Sequence, residues 1–190
     1  YFNSDIKPLL SPQIIGKKQP FPFLKNKEIY AVVVLEKKTA EKKITEKKSN
    51  AKIGIVPCSN SMFRRLIELP DHPGRFVLAE ELILHFLPSV FERYTITSKS
   101  LIRIIRNADI EPDEETYDED SDFRKIMERL IRKRKKLCPV KMEYSRVMDD
   151  AVIESLCSYL GLSHRQVFHS EAPLDLSFMS ALRDYLRNKK

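Results

Sequence analysis

The sequence predicts an α+β fold: a mixed, mostly antiparallel sheet with helices packed mainly on one face, a two-layer sandwich. Two patterns carry that prediction. Apolar runs of strand length, among them Ile29–Leu35 and the alternating Leu101–Arg106, are interspersed with segments whose apolar residues recur at helical spacing, at 78–91 and 149–160. The two kinds of segment do not alternate strictly, which argues against a parallel βαβ sheet. The 190 residues, 42% of them hydrophobic, suffice for one domain with a real core, and all of 1–190 is read as one domain.

Residues 1–28 carry Pro8, Pro12, Pro20 and Pro22 and read as irregular chain, because proline fixes φ and removes a ladder donor. Phe21, Phe23 and Leu24 are expected to pin this segment to the core. Ile29–Leu35 is apolar on both alternating sets and predicts a central strand covered on two faces. Residues 36–50 are nearly all Lys, Glu, Thr and Ser, with Ile44 as an apolar exception. Such a segment cannot bury enough surface to offset its ordering entropy and is expected to form a mobile hairpin tip. Residues 51–56 form the return strand, stopped by Pro57, and 62–69 read as a third strand, ended by Pro70 and the Pro73-Gly74 turn.

Leu78, Leu82, Phe86 and Leu87, then Val90 and Phe91, place a helix in 75–91, which Pro88 should end or kink. In 100–107, Leu101, Ile102, Ile104 and Ile105 interleave with Arg103 and Arg106 and predict a strand. An acidic stretch, Asp109–Asp122, leads into an amphipathic helix with Phe123, Ile126, Met127, Leu130 and Ile131 on one face, closing in the basic run Arg132–Lys136. That run reads either as a polyanion contact or as cations complementing the helix dipole. Residues 140–144 make another alternating strand. The helix over 149–160 has Asp149 and Asp150 at its start and Gly161 as its stop. Val167–His169 is a short strand, and 174–186 the last helix.

Lys and Arg outnumber Asp and Glu by 34 to 27, giving +7, which favours polyanionic partners without choosing among them. Cys58, Cys138 and Cys157 match neither a disulfide framework nor a metal spacing, so a reducing compartment, the cytoplasm, is expected. No apolar run approaches 18 residues, so no transmembrane segment is expected, and peripheral membrane association stays open. The chain opens on Tyr1 rather than Met, which predicts a piece of a longer chain. No glycine-rich phosphate cradle, nucleophile elbow or zinc spacing is present, so no catalytic or metal residue is assigned. If the chain handles phosphate, it does so with side chains. Arg103 and Arg106 on their strand come first, then Arg64 and Arg65, since guanidinium forks suit phosphate oxygens as well as neighbouring carboxylates.

Four stretches in order resemble one family. They are Pro20-Phe21-Pro22-Phe23-Leu24; Ile55-Val56-Pro57 with the segment ending in Leu69-Pro70; Ile102 to Asp109; and Pro139–Tyr144 through Ala172-Pro173-Leu174-Asp175-Leu176. Together they are similar to the middle domain of the polyphosphate kinases that work through a phosphohistidine. Asn107 stands where that family has aspartate, and Ala172 where it has glycine. The resemblance implies an ATP-binding phosphotransferase that moves the γ-phosphate reversibly onto polyphosphate with Mg. The reactive histidine and the Mg and nucleotide sites would lie outside this span, leaving it inactive alone and without a cofactor of its own. The resemblance also implies homo-oligomeric contact, the other domains of the same chain as partners, and a border on the basic path of inorganic polyphosphate. Arg103, Arg106, Arg64 and Arg65 are the residues expected to touch that chain. Nucleic acid is not expected, because aromatic residues do not interleave with the cations. A nucleic-acid module and a purely structural spacer are the alternatives.

Overall fold

The computed structural model describes residues 1–16, 20–38, 51–59, 62–107 and 138–188. Its centre is a six-stranded sheet in the order β1-β3-β2-β6-β7-β8, formed by Gln13–Ile15 (β1), Ile29–Lys37 (β2), Lys52–Pro57 (β3), Tyr94–Arg106 (β6), Pro139–Tyr144 (β7) and Val167–His169 (β8). A separate two-stranded ribbon pairs Leu66–Glu68 (β4) with Phe76–Leu78 (β5). Among the described residues every pairing is antiparallel except β7 with β8. Among the described residues the α-helices are Ala79–Val90 (α1), Asp150–Leu160 (α2) and Phe178–Asn188 (α3), with shorter helical turns at Phe2–Ile6, Lys7–Leu9 and His164–Gln166. The α+β class and the mixed, mostly antiparallel sheet are as expected.

β2 is the covered central strand its sequence predicts, with Val32 and Val33 1% and 0% exposed on opposite faces. Those faces carry two cores. Ala31, Val33, Leu35 and Leu101 meet Ile83, Leu84 and Leu87 of α1 on one side, while Tyr30, Val32, Ile102 and Met142 meet Ile153, Leu156 and Leu160 of α2 on the other. The helices, expected mainly on one face, thus divide between the two. A strand apolar on both alternating sets needs cover on both sides, and one helix supplies each. Gly54 leaves room over β3 for the side chains of Val33, Leu35 and Phe91. A Cβ there would stand 2.7 Å from Val33 Cγ2 and 3.0 Å from Phe91 Cζ.

Several boundaries move from the sequence expectation. Gln13–Ile15, inside the stretch read as irregular, forms an edge strand on β3; three residues are too few for period-2 alternation to register. The strand expected over 62–69 shrinks to Leu66–Glu68, and the helix expected from Arg75 begins at Ala79, because Phe76–Leu78 pair with β4. The last helix begins at Phe178 rather than Leu174, the preceding residues being held in a non-helical turn by side-chain bonds described below. Asp149 occupies the start of α2 without a side-chain capping bond, while Gly161 closes it at φ 67°.

Pro88 neither ends nor breaks α1, which runs on to Val90. A proline at 88 cannot donate to the carbonyl of Leu84, and a buried carbonyl left empty is costly. Lys99 of β6 reaches across and donates its ammonium to Leu84 O at 2.9 Å. The donor that proline lacks is replaced from the neighbouring strand.

The hairpin tip beyond Lys38, and the acidic, amphipathic and basic segments over 109–136, lie outside the described residues. Among the described residues no helix is long and apolar enough to cross a membrane.

Candidate functional site

The four arginines singled out by sequence come to three places. Arg65 sits just before β4, where its carbonyl accepts the Ala79 N–H at 2.7 Å and so ties it to the start of α1. Its guanidinium grips Glu80 in the first turn of that helix: Nε donates to the two carboxylate oxygens at 2.9 and 3.2 Å, and Nη2 to Oε1 at 2.5 Å. The opposite edge takes Asp175, with Nη1 on Oδ2 at 2.6 Å and Nη2 on the backbone carbonyl at 2.7 Å, and Nη1 also reaches Ser177 Oγ at 3.1 Å. Phe178 lies beneath, its ring centre 5.6 Å from the guanidinium carbon. Glu80 is only 3% exposed, so this is a desolvated, bidentate pair of the strong kind.

Arg103, in the middle of β6, faces the same spot. It donates to the carbonyls of Leu174 at 2.7 Å and Lys27 at 3.2 Å, and lies 3.7 Å from Glu143 Oε2 and 3.9 Å from Asp175 Oδ1. Glu143 is its cross-strand partner on β7, and Lys141 binds the other carboxylate oxygen at 2.7 Å. Asp175 is therefore shared by two arginines. Burial alone would raise its pKa. Hydrogen bonds from the Ser177 hydroxyl and N–H, with the charges of Arg65 and Arg103, outweigh that and hold it below the usual carboxylate value. The result is an arginine–carboxylate knot that joins α1, β6, β7 and the chain entering α3.

Beside the knot is a cavity of about 160 Å³ reached by Lys27, Glu28, Cys58 and Ser59. Burial pushes the Cys58 thiol far up, so it is no nucleophile. Arg106, at the end of β6, is apart from the knot. Its Nε donates to Leu24 O at 2.8 Å, its backbone N–H to Asn26 Oδ1 at 2.8 Å, and its guanidinium stacks 4.2 Å over Phe23. Burial lowers its pKa. It fastens the Pro20–Leu24 segment to the sheet.

Arg64 differs from the other three. It is exposed, makes no hydrogen bond or ion pair among the described residues, and stands on the wall of a groove of about 730 Å³ between β4–β5 and α3, with Phe63, Phe76, Phe178 and Tyr185. Among the described residues no group of three or more His, Cys, Asp or Glu is placed to hold a metal ion. The described residues thus offer no site for the Mg that the resemblance implies for the whole enzyme.

Sequence reasoning did not reach Glu80 or Glu143 as partners of the arginines. A glutamate in a first helical turn and one on a strand carry no local signal. Asp175 was visible within the Pro-Leu-Asp-Leu stretch, though nothing local shows that two arginines converge on it.

Comparison with known proteins accords with this architecture. The model of the polyphosphate kinase middle domain matches residues 1–182. The chain is 32% identical over 185 residues to a polyphosphate kinase of Bacillus cereus, covering 96% of this chain and 25% of that protein. It is 33% identical over 188 residues to one of Halalkalibacterium halodurans, covering 97% and 25%. The chain thus spans about a quarter of the length of the curated relatives it matches. The crystal structure of the polyphosphate kinase from Porphyromonas gingivalis shares the fold with a TM-score of 0.62 at 20% identity, over 89% of this chain and 22% of that one. The chain belongs to the polyphosphate kinase family, as its middle domain.

Proposed function

We propose that this span is the non-catalytic support of a polyphosphate kinase, which transfers the γ-phosphate of ATP reversibly to inorganic polyphosphate through a phosphohistidine carried elsewhere in the full chain. The observation that carries the reading is how the arginines spend their donors. Arg65, Arg103 and Arg106 are committed to carboxylates and carbonyls of this domain itself, which suits groups that hold surfaces in place. Arg64 is exposed and has no hydrogen-bond or ion-pair partner among the described residues. In this reading Arg64 touches the phosphate chain directly, and Arg65, Arg103 and Arg106 shape the surface along which it passes. Phosphoryl transfer to a growing polyanion is largely positioning and charge stabilisation, so a grip that is weak and salt-sensitive lets the chain advance. The relatives' name supports polyphosphate as a ligand of the whole enzyme, and ATP with Mg is part of the proposal. A homo-oligomer in the cytoplasm, with this domain contributing to the subunit contact, completes the proposal.

The test uses the full-length protein with ATP, Mg and long-chain polyphosphate. Arg64→Gln should raise KM for polyphosphate about two- to fivefold, the worth of one exposed charge contact. The effect should shrink as ionic strength rises. A KM unchanged at low and high salt removes Arg64 from the path and leaves the domain as a spacer. A full-length protein that makes no polyphosphate overturns the functional reading itself.

A further inference from the structure

The groove beside Arg64 has walls of two chemistries. Phe63, Phe76, Phe178 and Tyr185 line about 730 Å³ between the β4–β5 ribbon and α3, a volume in the range of small-molecule sites. Their rings are held by the protein. Phe63 packs on the α1-side core, and Phe178 lies 5.6 Å beneath the Arg65 guanidinium carbon. Tyr185 donates its hydroxyl to Glu68 at 3.0 Å, on an oxygen that also accepts the Gly74 N–H at 2.7 Å. Phe76 and Tyr185 meet edge-on, with centres 4.8 Å apart and planes at 82°, so the two rings do not cover each other's faces. The charges on the same walls are unequal. Arg65 is matched by Glu80 and Asp175. Arg64, one residue earlier, has no such match among the described residues. Asp5, exposed on the same groove, takes the Ser4 hydroxyl on one carboxylate oxygen.

We infer that this groove is a nucleotide site, with the base among the rings, the phosphate on Arg64 and Asp5 available to the sugar hydroxyls. The choice of ligand follows from what each alternative would waste. Polyphosphate has no apolar surface and would leave four aromatic walls idle. A purely apolar ligand would desolvate a guanidinium and a carboxylate with nothing to bind them. A nucleotide answers both walls: every base has a π face that stacks on an aromatic ring, a ribose offers hydroxyl donors, and a phosphate takes the guanidinium fork. The inference goes beyond the functional reading, in which Arg64 meets polyphosphate alone. The two anions would use the same guanidinium in turn, and only the nucleotide would also need the rings. Nucleotide in the groove would therefore loosen the domain's hold on polyphosphate.

The test uses the full-length protein and 8-azidoadenosine 5′-monophosphate as photolabel, with labelled peptides identified by mass spectrometry. Label is expected in the peptides that contain 62–65, 76–78 or 178–187, and excess unlabelled AMP should displace it. Orthophosphate or adenosine at the same concentration should displace far less, each carrying half of the ligand. With the probe below saturation, Arg64→Gln should lower labelling of these peptides about tenfold, the worth of one charge-assisted contact. Because Arg64 is exposed, that variant should keep the wild-type circular dichroism and Tm. Tyr185→Leu should lower labelling by a similar factor through lost stacking. Absence of label from these peptides overturns the inference, including the case where label falls only outside residues 1–190. So does displacement by orthophosphate or adenosine as effective as by AMP, or labelling that survives Arg64→Gln unchanged. Polyphosphate synthesis by the same preparation reports separately on the functional reading.

Discussion

Lys99 does for Leu84 what the residue at 88 cannot. Its ammonium, 2.9 Å from the carbonyl, replaces the N–H that any residue other than proline would supply. Replacing Lys99 with Met strands that carbonyl in a core where Leu84 is 2% exposed, and should cost about 1–3 kcal/mol of unfolding free energy. Pro88→Ala restores a backbone donor to the same carbonyl, so the double variant should regain most of the loss. The measurement is a double-mutant cycle by denaturant titration. Additive effects would show that the two groups do not share the carbonyl. The tyrosine of the opposite core tells a similar story of local compensation. Tyr30 accepts the N–H of Lys25 and donates to Glu28, and burial pushes its hydroxyl up to about 12. Its phenol stays neutral while anchoring the chain that leads into β2.

At the scale of elements, the knot around Asp175 decides where α3 starts. Ser177 N–H and Oγ both bind the Asp175 carboxylate, at 3.2 and 2.6 Å, a local turn that keeps 174–177 out of the helix, which starts at Phe178. Asp175→Asn should destabilise the fold by about 1.5–3 kcal/mol at neutral pH, the worth of hydrogen bonds to charged groups. The sign of the pH dependence follows from the depressed pKa. A carboxylate easier to ionise folded than unfolded stabilises fully above its unfolded value, and that contribution fades as pH falls through the lower folded value. The Tm gap between wild type and Asp175→Asn should therefore hold from pH 7 down to about 4 and close below it. A gap constant down to pH 2 would show that Asp175 acts by shape rather than by charge. The same knot explains what was legible in the sequence. Arg65 and Arg103 were visible as candidates because a guanidinium fork suits phosphate and carboxylate oxygens alike. Their partners were not, since Glu80, Glu143 and Asp175 are scattered along the chain and meet only through tertiary packing. Ile29–Leu35, the 101–106 alternation and the stop at Gly161 were legible because period and cap are local. Gln13–Ile15 and Phe76–Leu78 were not, because a three-residue strand owes its pairing to its neighbour.

At the scale of the whole molecule, the sheet is shared by two cores, and the sequence showed this more plainly in β2 than in its helices. Val32 and Val33 point to opposite faces and are both covered, so both helices lean on the same strand. Neither core can open without exposing the other's floor. The described residues should therefore unfold as one cooperative unit. Leu87 in α1 and Leu156 in α2 are both 0% exposed, one on each side of the sheet. Truncating either to Ala should cost about 2–5 kcal/mol through lost transfer energy and a residual cavity. Because the two sites share no core, their costs should add within about 0.5 kcal/mol. The decisive readout is the shape of the transition. In each single variant, near-ultraviolet circular dichroism and backbone hydrogen exchange should report one midpoint for both faces. If Leu156→Ala melts the α2 side while the α1 core stays intact, the sheet is not a common floor but a wall between two independently stable halves.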